Sequence, residues 1–250
     1  MGYGAENRMK GLITAAGRGS RHAGLSEKTN KVLLDLGGTS LLHNILDQYS
    51  QSGIDECYVV VGFQAPLVRN HCGGRSTCIL NPFYVHSSIL SSIWLAQPYL
   101  MGQPFVLTPG DHYFEFERLQ RLLQEQPFAD VLVDVHLKAC HDEDMKVYVT
   151  GSGHLHTMTK RHFDEAILGE FTSLVRFSAL GSRQFFEFLE KYVWQHGIQG
   201  YLADVLCAYD RKHSLDFHLS DDHRRVDVDF PCDLTKARQL YQRTMLAAVA

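Results

Sequence analysis

No stretch of the 250 residues approaches the ~20 consecutive apolar positions of a membrane span. Positive charge is also short, since 24 Lys and Arg against 28 Asp and Glu leave a net charge of -4. Without a basic stripe, a nucleic-acid partner is a poor expectation. The six cysteines (Cys57, Cys72, Cys78, Cys140, Cys207, Cys232) form no C-x-x-C pair, so the usual zinc spacings are missing and free thiols in a reducing compartment are expected. Met1 to Lys10 lacks the apolar core of a secretory leader. These absences together predict a cytoplasmic protein with no membrane contact. No low-complexity stretch, repeat or Pro/Ser-rich linker divides the chain, so residues 1–250 read as a single domain, with residues 1–9 a flexible N-terminus.

The first half alternates short apolar runs with helical periods. Gly11–Ala15, Cys57–Val61, Thr77–Leu80, Phe105–Leu107 and Ala129–Val135 read as strands. Leu41, Leu42, Ile45, Leu46 and Tyr49 recur at helical spacing behind Thr39 and Ser40, either of which can cap the helix, and ahead of Gly53. Further helices are expected over Ser88–Leu100 and Glu115–Gln126. This alternation implies an α/β fold with a parallel sheet covered on both faces. After residue 145 the character changes. Lys146–Thr150, His154–Thr159 and Glu170–Phe177 suggest antiparallel strands, a β-rich insertion over about 145–180. Helices near Ser182–His196 and Tyr201–Arg211, a strand near Arg225–Val228 and a helix from Pro231 complete the chain.

The strongest chemical signal follows the first strand: Ala15-Ala16-Gly17-Arg18-Gly19-Ser20-Arg21. A glycine-rich turn leaving a strand lets backbone N–H groups approach phosphate oxygens. It is not the dinucleotide fingerprint, because His22 stands where that needs glycine, and it is not a Walker loop, because Gly19 is followed by Ser20-Arg21. Arg21 and, ten residues on, Lys31 place a cation at each end of a long loop, suited to holding a polyphosphate.

Leu12–Arg21, then Asn30-Lys31-Val32-Leu33-Leu34-Asp35-Leu36-Gly37-Gly38, resembles the opening signature of the nucleotidyltransferases, A-A-G-x-G-x-R followed by P-K-x-L. Asn30 stands where that pattern has proline, which implies a less rigid loop. Thr108-Pro109-Gly110-Asp111 matches the place of the family's first metal-binding aspartate, and Val226-Asp227-Val228-Asp229-Phe230-Pro231-Cys232-Asp233-Leu234 resembles its closing D-V-D-T-P-E-D-L. The resemblance thus implies Asp111 and Asp229 as metal ligands, with Asp227 next, since alternation would put Asp227 and Asp229 on one strand face. Taken singly, Asp111 also reads as a helix cap, and the other two as a solvated strand face.

The resemblance implies a three-layer Rossmann-like, mostly parallel sheet of the nucleotide-diphospho-sugar transferase type, and Mg²⁺ as cofactor. Among the NTP transferases, MobA-like and sugar-phosphate nucleotidylyltransferase-like, the chain is most similar to the small CTP:phosphonate and phosphocholine cytidylyltransferases. Asn81-Pro82-Phe83-Tyr84 with Ser88–Leu95 is similar to that group's N-P-x-Y…S-L segment. The implied substrates are CTP and a small phosphonate or phosphate acceptor. Arg21 and Lys31 are then catalytic, and Ala15, Ala16, Gly17, Gly19, Ser20, Gln64 and Ser92 bind nucleotide. Lys160 and Glu170 are the implied acceptor contacts, carried by Lys146–Val149, His154–Lys160 and Gly169-Glu170-Phe171. Two alternatives stay open: a sugar-1-phosphate or cofactor nucleotidylyltransferase using UTP or GTP, and a catalytically silent nucleotide-binding module. The 14 histidines are not needed as bases, because an acceptor phosphate is already ionised. His154, His156 and His162 with Arg161 are expected beside the acceptor pocket, His141-Asp142-Glu143-Asp144 reads as a solvated acidic turn, and the aromatic helix around Phe185, Phe186 and Tyr192 reads as core packing or a homodimer face.

Overall fold

A computed structural model describes residues 8–18, 29–221 and 224–247. Gly19, Ser20 and Arg21 lie outside the described residues.

The first strand, β1 (Lys10–Ala15), shows how the layers arise. Alternation along a strand sends Leu12 into one apolar cluster and Ile13 into another on the opposite face. Parallel neighbours flank it: β2 (Cys57–Val61) on one side, followed by β3 (Thr77–Leu80), and β4 (Phe105–Pro109) on the other. One face is covered by α1 (Leu41–Gln51), α2 (Ala65–Cys72) and, beyond the three-residue strand β5 (His112–Phe114), α5 (Phe116–Gln124). The other is covered by α3 (Ile89–Leu95), α6 (Ala179–His196) and α7 (Leu202–Asp210), with the short α4 (Gln97–Leu100) after α3. The α1 start is set by Ser40, whose Oγ accepts from the His43 N–H at 3.1 Å. Phe185, Phe186 and Leu189 of α6 are fully buried core residues.

The remaining strands make the sheet mixed, in keeping with the mostly parallel sheet and β-rich insertion expected from the sequence. β6 (Val131–His136) is not next to β4. The long β9 (Ile167–Phe177) runs between them, antiparallel to both. The N-terminal part of β9 also pairs with β7 (Lys146–Val149), which forms a hairpin with β8 (Leu155–Thr159). β10 (Leu215–Ser220) closes the far edge, parallel to β6. Among the described residues this makes one mixed, mostly parallel sheet of nine strands, a three-layer α/β fold with its β-rich insertion woven into the sheet. The single helix expected over Ser88–Leu100 is two, broken at Ala96 ahead of Pro98, whose ring suits the first turn of the second helix. No helix among the described residues is long and apolar enough to cross a membrane.

A small accessory unit matters for the site. β11 (Arg225–Asp227) pairs antiparallel with β5, and α8 (Pro231–Ala247) packs through Leu234 and Ala237 against Leu36, Leu41, Tyr113 and Val228. It returns the C-terminal region to the carboxyl ends of β1, β2 and β4, the edge of open α/β sheets where ligands settle.

Candidate active site

At that edge lies a cleft of about 660 Å³. Its floor is the turn after β1, where an added Cβ on Gly17 would meet nothing within 4 Å. The free space beside Gly17 is the cleft itself, the room a phosphate group needs against bare backbone.

The residues after the first loop form no strand. Lys31–Leu33 is a single 3₁₀ turn, capped by Asn30, whose Oδ1 accepts from the Val32 N–H at 3.2 Å. The turn presses against the end of β4, because Gly110 has no side chain: a Cβ there would lie 2.7 Å from Val32 Cγ1 and 2.9 Å from the Thr14 carbonyl. That close approach brings Asp111 to Lys31. The Val228 N–H donates to the Asp111 carbonyl at 3.0 Å and ties the residue after β11 to the same place. Lys31 Nζ therefore sits 3.3 Å from Asp111 Oδ2 and 2.7 Å from Asp229 Oδ1. The lysine side chain is only 9% exposed and each carboxylate 37%, so the ammonium lies beneath two carboxylates that open to the cleft. Asp111 caps no helix, as Glu115 holds the cap position of α5.

Asp227 is differently engaged. β11 ends on it, so strand alternation does not extend to Asp229. Its Oδ1 lies 2.9 Å from His112 Nε2, and its Oδ2 accepts from Arg225. Burial works to raise its carboxyl pKa, but the Arg225 and His112 charges outweigh burial and hold it well below the usual carboxylate range. Arg225 in turn reaches Glu170 Oε2 at 2.9 Å, and Lys138 pairs with the same oxygen at 3.0 Å.

The far wall comes from the segment after β3. Asn81 Nδ2 donates to Ser91 Oγ at 2.9 Å and Ser92 Oγ at 3.1 Å, and its Oδ1 accepts from the Phe83 N–H, which fixes the 81–92 segment as a unit. Ser88 caps α3 with its hydroxyl.

Of the residues expected from sequence, the structure gathers Ala15, Ala16, Gly17, Lys31, Ser92, Asp111, Asp227 and Asp229 around the cleft. Gln64 does not line it; its Oε1 accepts from the Asn30 N–H at 2.7 Å, behind the lysine turn. Lys160 does not line it either, and its Nζ pairs with Glu143 at 3.0 Å. Glu170 is buried under Arg225 and reaches the cleft only through it. His156 and His162 also lie away from the lining, paired with Glu165 and Asp142. Other lining residues had no site role assigned from sequence, three of them with side chains suited to ligand contact. Arg18 lies over the Phe63 and Tyr84 rings at 5.9 and 5.7 Å, a cation–π arrangement. His112 and Tyr201 are the others, and only His112, next to Asp111, left a trace that order along the chain could have raised.

No three or more His, Cys, Asp or Glu among the described residues are grouped to hold a metal ion. Asp111 and Asp229 supply oxygens alone and already share one cation, Lys31. That donor set suits a hard divalent ion that keeps water and phosphate ligands, not a structural zinc.

A family model for the MobA-like NTP transferase domain matches residues 11–165. N-acetylmuramate alpha-1-phosphate uridylyltransferase of Neisseria meningitidis serogroup B is 32% identical over 108 residues, 41% of this chain and 47% of that protein. The match thus spans about half the length of that curated relative. The structure of CTP:phosphocholine cytidylyltransferase from Streptococcus pneumoniae superposes with a TM-score of 0.71 at 15% identity, over 94% of this chain and 99% of that one. The inositol-1-phosphate CTP transferase from T. maritima superposes with a TM-score of 0.75 at 19% identity, over 95% and 96%. At these identities the structural likeness establishes the fold.

Proposed function

Because the chain belongs to the family of MobA-like NTP transferase domains, we propose that it is a nucleotidyltransferase joining CTP to a small phosphonate or phosphoalcohol, with a CMP-linked product and pyrophosphate released. The observation that carries this reading is the buried Lys31 ammonium held between Asp111 and Asp229 on the floor of the cleft, beside the open Gly17 turn.

The chemistry is an in-line displacement. An acceptor phosphate or phosphonate oxygen attacks the α-phosphorus, and the bond to the bridging oxygen of the leaving pyrophosphate breaks. The attacking oxygen is already ionised, so no base is needed. What the reaction needs is positive charge arranged beforehand where negative charge concentrates. Lys31 supplies it from beneath the cleft, and Arg21 is our second cation for the phosphates. The backbone of Ala15, Ala16, Gly17, Gly19 and Ser20 is proposed to seat the nucleotide, with Ser92 on the opposite wall. Mg²⁺ belongs to the same proposal: Asp111 and Asp229 would hold it, and it would neutralise the triphosphate and leaving group. Asp227, engaged by His112 and Arg225, is a weaker candidate ligand than these two.

CTP is favoured by the two cytidylyltransferases that share the fold over nearly the whole chain. The second reading is UTP with a sugar 1-phosphate, favoured by the identity to the meningococcal uridylyltransferase. Lys160 and Glu170 are proposed at the acceptor border, Glu170 acting through Arg225 and Asp227. A cytoplasmic location, where nucleoside triphosphates are available, and a homodimer complete the proposal. Pyrophosphate release is to be measured with CTP, UTP, GTP and ATP against 2-aminoethylphosphonate, phosphocholine, inositol 1-phosphate and a sugar 1-phosphate. Turnover confined to CTP with a phosphonate or phosphoalcohol is expected. Preference for UTP with the sugar phosphate would establish the second reading in its place.

A further inference from the structure

Asn30 is 1% exposed, immediately precedes Lys31, and uses its backbone N–H and both ends of its side chain. Its Nδ2 donates to the Ala15 carbonyl at 3.1 Å and to the Phe63 carbonyl at 2.8 Å. Its Oδ1 accepts from the Val32 N–H, and its own N–H donates to Gln64 Oε1 at 2.7 Å. These four bonds join the end of β1, the turn after β2 and the 3₁₀ turn that carries Lys31. Gln64 meets this arrangement from a left-handed backbone position, φ 53°, at the start of α2. The asparagine thus ties the lysine turn to both neighbouring strand ends, while residues 19–28 of the loop before it lie outside the described residues.

We infer that Asn30 is the positioning residue for Lys31, a hydrogen-bonded clamp that does what a proline ring would do at the same place. The backbone of Asn30 has φ -60° and ψ 133°, and a proline ring fixes φ near ~-65°. The asparagine thus holds, by its bonds to Ala15, Phe63 and Val32, a backbone φ that a proline ring would also allow. The clamp matters because a buried ammonium cannot be moved cheaply. Displacement by about 1 Å in a preorganised site costs on the order of 10²-fold in rate. Asn30 borders the cleft but is only 1% exposed and spends its side chain on these bonds, so nucleotide affinity is expected to rest on the Gly17 turn and the 81–92 wall.

The inference rests on the nucleotidyltransferase reading, and its test separates the two. Wild type, Asn30→Ala, Asn30→Pro and Gln64→Ala are assayed for kcat and KM with CTP, Mg²⁺ and the acceptor that wild type turns over best, and for CTP affinity by calorimetry. Asn30→Ala is expected to lower kcat by about 10- to 100-fold while KM and Kd for CTP stay within about threefold. Asn30→Pro is expected to fall between Asn30→Ala and Gln64→Ala, because the ring restores φ but removes the N–H bonded to Gln64 along with the side-chain bonds. Gln64→Ala is expected to lower kcat in the same direction by less, since one bond of four is lost. If Asn30→Ala fails to fold, Asn30→Pro and Gln64→Ala carry the test with the same expectations. Wild-type kcat in Asn30→Ala, or an Asn30→Pro variant that folds with turnover below that of Asn30→Ala, overturns the clamp. A loss equal in kcat and CTP affinity overturns it as well, since it would make Asn30 part of the nucleotide seat. If wild type releases no pyrophosphate with any triphosphate and acceptor, the functional reading fails, whatever Asn30 does.

Discussion

Replacing Lys31 by methionine keeps most of the length of the side chain and removes its charge, with separate consequences for stability and for turnover. The ammonium lies 3.3 Å from Asp111 Oδ2 and 2.7 Å from Asp229 Oδ1, so those two oxygens are no more than about 6 Å apart. Without the cation between them, two like charges at that separation repel by roughly 0.7 kcal/mol in bulk water and about 3 kcal/mol at the effective dielectric of a partly buried pair. Both carboxylates are 37% exposed, which favours the lower part of that range. Lys31→Met should thus fold, with a stability loss of roughly 1–2 kcal/mol at pH 7. The catalytic loss should be larger. Removing one preorganised donor aimed at developing negative charge costs roughly 10²–10³ in kcat, about 3–4 kcal/mol. Urea denaturation at pH 7 gives the first quantity, and steady-state pyrophosphate release gives the second. A folded Lys31→Met enzyme with wild-type turnover would refute the role assigned to the lysine.

Gly17 and Gly62 should respond oppositely to alanine. A Cβ on Gly17 meets nothing within 4 Å, so Gly17→Ala should melt like wild type while KM for the nucleotide rises by about tenfold, as the methyl fills phosphate space. A Cβ on Gly62 would sit 2.7 Å from the Ala16 carbonyl and 2.7 Å from Tyr84 Cβ, so Gly62→Ala should lose roughly 1–3 kcal/mol in denaturant titration. Arg118 and Asp134 are both buried, with Nη2 to Oδ2 at 2.8 Å. Arg118→Met should cost about 3–5 kcal/mol by stranding the carboxylate, and a second change at Asp134 to leucine should return part of it. Asp227 is held below its ordinary pKa of 3.8, so its contribution to stability is present above that pH and lost as pH falls toward the lower folded value. Arg225→Met should flatten the fall of Tm below pH 4, and an unchanged acid limb would contradict the pairing.

The legible parts of the fold and site were those that chain order and local pattern encode. β1, β2 and β4 were continuous apolar runs, and the turn after β1, Lys31 and Asp111 followed from motifs at strand ends. The insertion of β9 between β4 and β6 was not legible, because the apolar pattern of Ile167–Phe177 shows that it is buried but not beside what. Helix α2 was missed for a local reason: it has eight residues, with Gln64 in a left-handed conformation at its start and Pro66 in the first turn. Lys160 illustrates a further limit. Its place in the chain suggests the acceptor border, but the pairing of its Nζ with Glu143 is not readable from the sequence. Asn30 was read from what it lacks, a proline ring, whereas its partners Ala15, Phe63 and Gln64 are assembled only by the fold.

Transfer chemistry at this cleft is decided by ³¹P NMR of wild type with CTP and Mg²⁺, with and without 2-aminoethylphosphonate or phosphocholine. Pyrophosphate and a CMP-linked phosphoanhydride should appear together, need the acceptor, and form at least about 10²-fold more slowly in Asp111→Asn. CTP that binds yet stays intact with every acceptor, in wild type as in Asp111→Asn, would contradict that assignment and leave a nucleotide-binding module without transfer chemistry.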